Sequence, residues 1–227
     1  DMGTLDWNYG EVNPEIVYQI MEGLFRADEQ GRPVPAAAKS YSWNKEKTEL
    51  EITLEKRAWS DGEPVCARHF VDSWNRLTSK EFASGYAHFA HGLKSYKAQG
   101  CEKLIVAFVR PTPEAPALLS LYVFFPLRLE QWEVEKKIFN EGKTLIVNGP
   151  FKVEHWTKNQ RMILGNLRAF QRRNVVLFVV VHKNQAPSPE GFTPSTTCDG
   201  RHDGFSTVND RPQSPVFIPG FATETAD

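Results

Sequence analysis

The residues whose types and spacing could do chemistry are two pairs, His88 with His91 and Cys66 with His69. Side chains three apart share one helix face, where two nitrogens, or a thiolate and a nitrogen, can hold one transition metal. Nothing in the sequence brings the two pairs together, and no carboxylate is fixed beside either. The expectation is therefore two partly exposed histidine pairs and no metal site. Cys66 near a helix start is open to two readings, a thiol made acidic by its position or an inert one. With Cys101 and Cys198 it forms an odd, widely spaced set, so neither a disulfide framework nor a CxxC knuckle is expected, and cysteine usage assigns no compartment. The chain has no GxSxG elbow, HExxH pair, Walker loop or GxGxxG turn. Its acids lie scattered over turns and exposed strand faces, where solvation accounts for them. These features describe a protein that is not an enzyme, with no catalytic residues and no cofactor.

Stepping from these groups to the whole chain, 227 residues suffice for one large domain or two modest ones. The 27 Lys and Arg against 28 Asp and Glu are well mixed, so no basic stripe exists to neutralise phosphates and nucleic acid is not an expected partner. The longest apolar runs, 115–127 and 175–181, are short or broken by proline, so no transmembrane segment is expected. The sequence begins at Asp1 without a basic-then-apolar leader, which reads as a mature or excised product.

Several elements are legible from pattern. Asn13-Pro14 starts a helix on which Ile16, Ile20, Met21 and Leu24 recur at helical spacing. A polar turn at 28–31 leads into an extended edge segment with Pro33 and Pro35. ELEITLE, residues 49–55, alternates strictly and predicts a half-buried strand, followed by a Ser60-Asp61-Gly62 turn and an amphipathic helix over 67–77. KLIVAFVR, residues 103–110, is a second strand, apolar on both faces. Thr112-Pro113-Glu114 predicts a cap opening a short helix through Leu121, and 132–140 predicts another. Asn148-Gly149-Pro150 leads into a hairpin of 151–156 with 161–164. Beyond Gln185, six prolines fall among polar residues without periodicity, and a poorly ordered tail is expected over 186–227.

Four of these segments, in order, resemble the extracytoplasmic solute-binding proteins of the oligopeptide, dipeptide and nickel ABC importer family. They are NPEIVYQIMEGLFRADEQGRPVPAAAKSYSW, LEITLEKRAWSDGEPVCARHFVDSWNRL, ASGYAHF and NGPFKVEHWTKNQRMILGN. The second is the most specific, since strand, Trp-Ser-Asp-Gly turn and helix with Phe-Val-x-Ser-Trp-x-Arg stand at the family's spacing. The resemblance runs from about Thr4 to Asn166 and fades into a shortened strand in NVVLFVVVHKNQ.

The resemblance implies an α/β fold: a periplasmic-binding-protein-like first lobe from 1–28 and 125–185, an inserted α+β domain from 29–124, and an absent second lobe. It implies a truncated peptide-binding component of an importer, with impaired binding, located in the periplasm or at the outer face of the membrane. Peptide ligand and permease subunits would be its partners, and the chain would be a monomer. A non-binding remnant or protein-interaction domain is the alternative, and a nickel carrier a third. By position, Tyr86 of the Ala-Ser-x-Tyr-Ala block and Tyr9, Gly10 and Glu11 before the first helix would face the ligand. Trp59, Trp74 and Trp156 read as core, and Asp61 and Gly62 as turn. Where the family has a Thr cap and first-turn acids, this chain has Cys66, Arg68 and His69, so the helix they open is expected to be weakened by positive charge.

Overall fold

The computed structural model of the chain describes residues 4–9, 12–130, 145–157 and 161–167, and the backbone of two further strands at 175–180 and 222–225. The first helix, α1 (Pro14–Ile20), is opened by Asn13, whose side chain accepts from the Glu15 N–H at 2.9 Å. It buries Ile16, Val17 and Ile20 and ends earlier than the apolar spacing predicts. The reason is tertiary: the Gly149 N–H donates to the Ile20 carbonyl, and Asn148 brackets the backbone of Glu22 with two hydrogen bonds. Met21 and Leu24 stay buried, but beyond the end of the helix. A Cβ on Gly149 would stand 2.5 Å from the Ile20 carbonyl carbon, so only glycine allows this approach.

The edge segment is a small hairpin, β1 (Phe25–Ala27) with β2 (Pro33–Pro35), whose turn the Asp28 carboxylate closes by accepting from the Gln30 and Arg32 N–H groups. A four-stranded antiparallel sheet follows, in the order β3, β4, β6, β5 from β3 (Ala38–Trp43), β4 (Glu49–Leu54), β5 (Leu93–Gln99) and β6 (Lys103–Phe108). Leu50, Ile52 and Leu54 of β4 and Leu104, Val106 and Phe108 of β6 are buried on one face, as strict alternation requires. The same face packs beneath α2 (Ala67–Thr78), which buries Phe70, Trp74 and Leu77. On the other face of β6, Ile105 and Ala107 are half-buried and Lys103 is exposed; Ile105 pairs with Glu51 and Lys97, so that strand is less apolar-walled than its sequence suggests. Trp74 and Trp59 are core, the former donating from Nε1 to the Phe124 carbonyl at 2.8 Å. Trp156 is half-buried against that core.

Three expectations are corrected in this region. Cys66 and Cys101 form a disulfide with Cα atoms 4.3 Å apart, tying the start of α2 to the turn between β5 and β6. Neither the reactive nor the inert free thiol therefore applies to Cys66. The second concerns His69, which is buried and uncharged rather than a positive charge on the helix start. Its Nδ1 accepts from the Cys66 N–H at 2.9 Å and from Trp59 Nε1 at 3.2 Å, so it serves as a cap in place of the hydroxyl. The third is the helix expected to open at Thr112: α3 (Ala115–Leu118) is one turn with Pro116 in its first turn, followed by a 3-10 turn at Tyr122–Phe124. Thr112 instead accepts the Ala115 N–H with its carbonyl.

The second sheet holds the predicted hairpin, β7 (Phe151–Thr157) with β8 (Arg161–Asn166), then β9 (Val175–Val180) and β10 (Ala222–Thr225), in that order and antiparallel throughout. The chain expected to be unstructured after Gln185 thus contributes one strand, 222–225. The predicted helix at 132–140 lies outside the described residues.

Candidate ligand-binding face

Residues 4–9 form a turn whose backbone and side chains are almost all buried, leaving the Tyr9 ring exposed. What fixes the turn is α2. Arg76, buried on that helix, makes a two-pronged ion pair with Asp6 at 2.8 and 2.5 Å and donates to Asn8 Oδ1 at 3.1 Å. The amino-acid types explain the geometry: a planar guanidinium matches a carboxylate bidentately and keeps its charge where an ammonium would lose it. The Arg76 guanidinium also lies over the Phe82 ring at 3.7 Å, and Tyr9 meets the same ring edge-on at 6.1 Å.

Tyr86 sits at the start of the 3-10 turn Ala87–Ala90, on a loop that Ser84 locks. The Ser84 hydroxyl donates to the Asn8 carbonyl and accepts from the Tyr86 N–H at 3.1 Å. The structure therefore ties the segments of Tyr9 and Tyr86 to each other through Asn8 and Ser84. Gly10 and Glu11 lie outside the described residues.

Two tyrosines that pattern reading missed continue the surface. Tyr122 meets Tyr86 edge-on at 5.8 Å and Tyr18 at 6.0 Å, and Tyr18 packs on buried Phe125 at 5.4 Å. Phe89 extends the row beyond Tyr86 at 6.2 Å. Burial, with the hydrogen bond that the Tyr122 hydroxyl gives to Tyr86, raises the Tyr122 phenol well above its usual range, and burial likewise raises that of Tyr18. Both stay protonated at any physiological pH, and the Tyr18 hydroxyl donates to the Ser120 carbonyl at 3.5 Å. Half-wet tyrosines of this kind offer apolar faces and a polar tip together. The only sequence signal for Tyr18 and Tyr122 is a polar-tipped aromatic within an apolar run, which a core position shares.

The metal reading finds no support among the described residues, where no group of three or more His, Cys, Asp or Glu is placed to hold an ion. His88 is exposed, hydrogen-bonded through Nδ1 to the Gly85 carbonyl and stacked on Phe89. Cys66 is in the disulfide, and His69 turns its Nδ1 to the helix cap. A separate open groove of about 380 Å³ lies beside Cys101, Leu54, Pro64 and Val65. Its rim charges Lys56 and Glu102 pair with each other at 3.4 Å, and no tyrosine lines it.

The sequence profile of the bacterial extracellular solute-binding proteins, family 5 middle part, matches residues 32–166. The chain is 28% identical over 184 residues to the dipeptide-binding protein DppE of Bacillus subtilis, covering 74% of this chain and 34% of that one. It is 35% identical over 171 residues to the periplasmic oligopeptide-binding protein OppA of Haemophilus influenzae, covering 67% and 32%. Among solved structures it is similar to OppA of Listeria monocytogenes bound to peptide, with a TM-score of 0.71 and 25% identity over 76% of this chain and 38% of that one. The oligopeptide ABC transporter substrate-binding domain of Bacillus anthracis superposes equally well, at 27% identity. The chain spans about a third of the length of the curated relatives it matches.

Proposed function

This chain belongs to the bacterial extracellular solute-binding proteins of family 5, and from that premise we propose that it captures short peptides outside the cytoplasmic membrane for delivery to an ABC permease. The observation that carries the reading is the tyrosine row Tyr18, Tyr122 and Tyr86, half-wet and hydrogen-bond-capable, beside the exposed Tyr9. Extended peptide is held chiefly through its own backbone groups, with side chains received loosely by apolar and aromatic surface. Phenol faces with protonated tips suit that chemistry and require no catalysis.

The relatives, a dipeptide-binding protein, an oligopeptide-binding protein and an OppA bound to peptide, support peptide as the ligand class. A disulfide at Cys66–Cys101 supports an oxidising, extracytoplasmic location. In this reading residues 1–28 and 125–185 build the portion of the lobe bearing Tyr9, Gly10, Glu11 and Tyr18, and 29–124 is the inserted domain bearing Tyr86. The described residues offer one wall of a cleft, so weak binding is expected from them alone.

Calorimetric titration with a mixture of tri-, tetra- and penta-alanine, paired with thermal melting, tests the proposal. Heat of binding that Tyr86→Ala abolishes is the expected result. Absence of both heat and a melting shift at millimolar peptide would sink it in favour of a non-binding, protein-interacting role.

A further inference from the structure

One buried residue, through main chain and side chain together, connects every tyrosine-bearing segment of the proposed face except α1. Asn8 uses all four of its polar groups. Its N–H donates to Asp6 Oδ1 at 3.2 Å within its own turn. Its carbonyl accepts from the Ser84 hydroxyl, which in turn accepts the Tyr86 N–H. Its Oδ1 accepts from Ser73 at 3.3 Å and from Arg76 at 3.1 Å, both on α2. Its Nδ2 donates to the Val123 carbonyl at 3.2 Å, one residue from Tyr122. Asn8 itself is fully buried and precedes Tyr9.

We infer that Asn8 is the positioning residue of the ligand face, setting Tyr9, Tyr86 and Tyr122 in one fixed arrangement from below. The inference rests on the reading that this face takes peptide. The chemistry favours an amide over its neighbours in size. Oδ1 must accept two donors, one of them cationic, while Nδ2 must donate to a carbonyl, and only an amide does both. A carboxylate would satisfy Arg76 and Ser73 but would face the Val123 carbonyl with no proton to give. Buried networks of this type hold geometry tightly when every member is satisfied and loosen when one is not. Misplaced tyrosines then cost affinity without any change in the groups that touch ligand.

The test compares the full chain with Asn8→Asp, Ser84→Ala and Ile52→Val, the last a core change under β4 away from the face. Two measurements are made on each: calorimetric titration with the tri- to penta-alanine mixture, and the aromatic NMR spectrum of tyrosine-labelled protein. Asn8→Asp and Ser84→Ala are expected to weaken binding about tenfold, the worth of one buried hydrogen bond. In Asn8→Asp the Tyr122 and Tyr9 signals shift, with Tyr86 following through its ring contact with Tyr122, while Tyr41 stays. Ser84→Ala moves Tyr86 and, through their ring contact, Tyr122, and leaves Tyr41 in place. Ile52→Val lowers the melting temperature and leaves affinity and the Tyr9, Tyr86 and Tyr122 signals unchanged, Tyr41 being its cross-strand neighbour. Unmoved tyrosine signals in Asn8→Asp, or an equal loss of affinity in Ile52→Val, would overturn the assignment. If the unmodified chain shows no binding heat, the peptide reading fails while the tyrosine signals still decide the role of Asn8.

Discussion

His69 shows how one side chain can invert its expected effect. Its pKa is lowered from 6.5 to about 4, first by burial and then by Arg68 and Arg128, with Glu130 and Asp61 opposing. A neutral ring accepts two donors at Nδ1; a protonated ring would have to give both up. Between pH 6.5 and about 4 the unfolded chain takes up a proton that the folded one refuses, so stability falls as pH falls through that window and levels off below it. The loss is at most about 3 kcal/mol. Urea midpoints measured from pH 7 to 4 should show this slope, and His69→Gln, which keeps an acceptor and loses the proton site, should flatten it. Arg76 makes a second prediction at this scale. Truncation to Ala strands the Asp6 carboxylate in the interior and should cost roughly 3–5 kcal/mol by chemical denaturation.

At the scale of elements, α2 and α1 are each held at one end by a contact distant in sequence. The Cys66–Cys101 bridge closes a loop of sequence separation 35 and anchors the N-terminus of α2 to the β5–β6 turn. Reduction, or Cys66→Ser, should lower stability by about 3–4 kcal/mol through the freedom returned to the unfolded chain. Comparing denaturation with and without a thiol reductant checks this, and Cys66→Ser should make the reductant irrelevant. For α1, Gly149→Ala forces a methyl against the Ile20 backbone. It should destabilise by about 2 kcal/mol, as overpacking does. The strands needed no such help to be read: β4 and β6 carry their burial in alternate letters, because a pleated strand with one covered face permits no other arrangement.

For the molecule as a whole, the exposed large apolar residues among those described are Tyr9, Tyr18, Tyr41 and Val109, too few to form a broad adhesive patch beyond the proposed face. Sedimentation equilibrium is accordingly expected to return a monomer of 25.8 kDa, and twice that mass would contradict it. Family, fold class, the hairpin of 151–156 with 161–164 and the core roles of Trp59 and Trp74 were all legible in the sequence. Each is written in local periodicity, turn residues and the order of four motifs, which depend on neighbours along the chain. Tyr86 and Tyr9 enter the proposed face from motif position. The pairing of Cys66 with Cys101, the neutral capping role of His69, the ring contacts of Tyr18 and Tyr122 and the hydrogen bonds of Asn8 were decided by tertiary structure. Each depends on which distant groups share a few ångströms and on the burial that follows. A sequence fixes the residues able to make such contacts, whereas only the packed chain determines which of them are made.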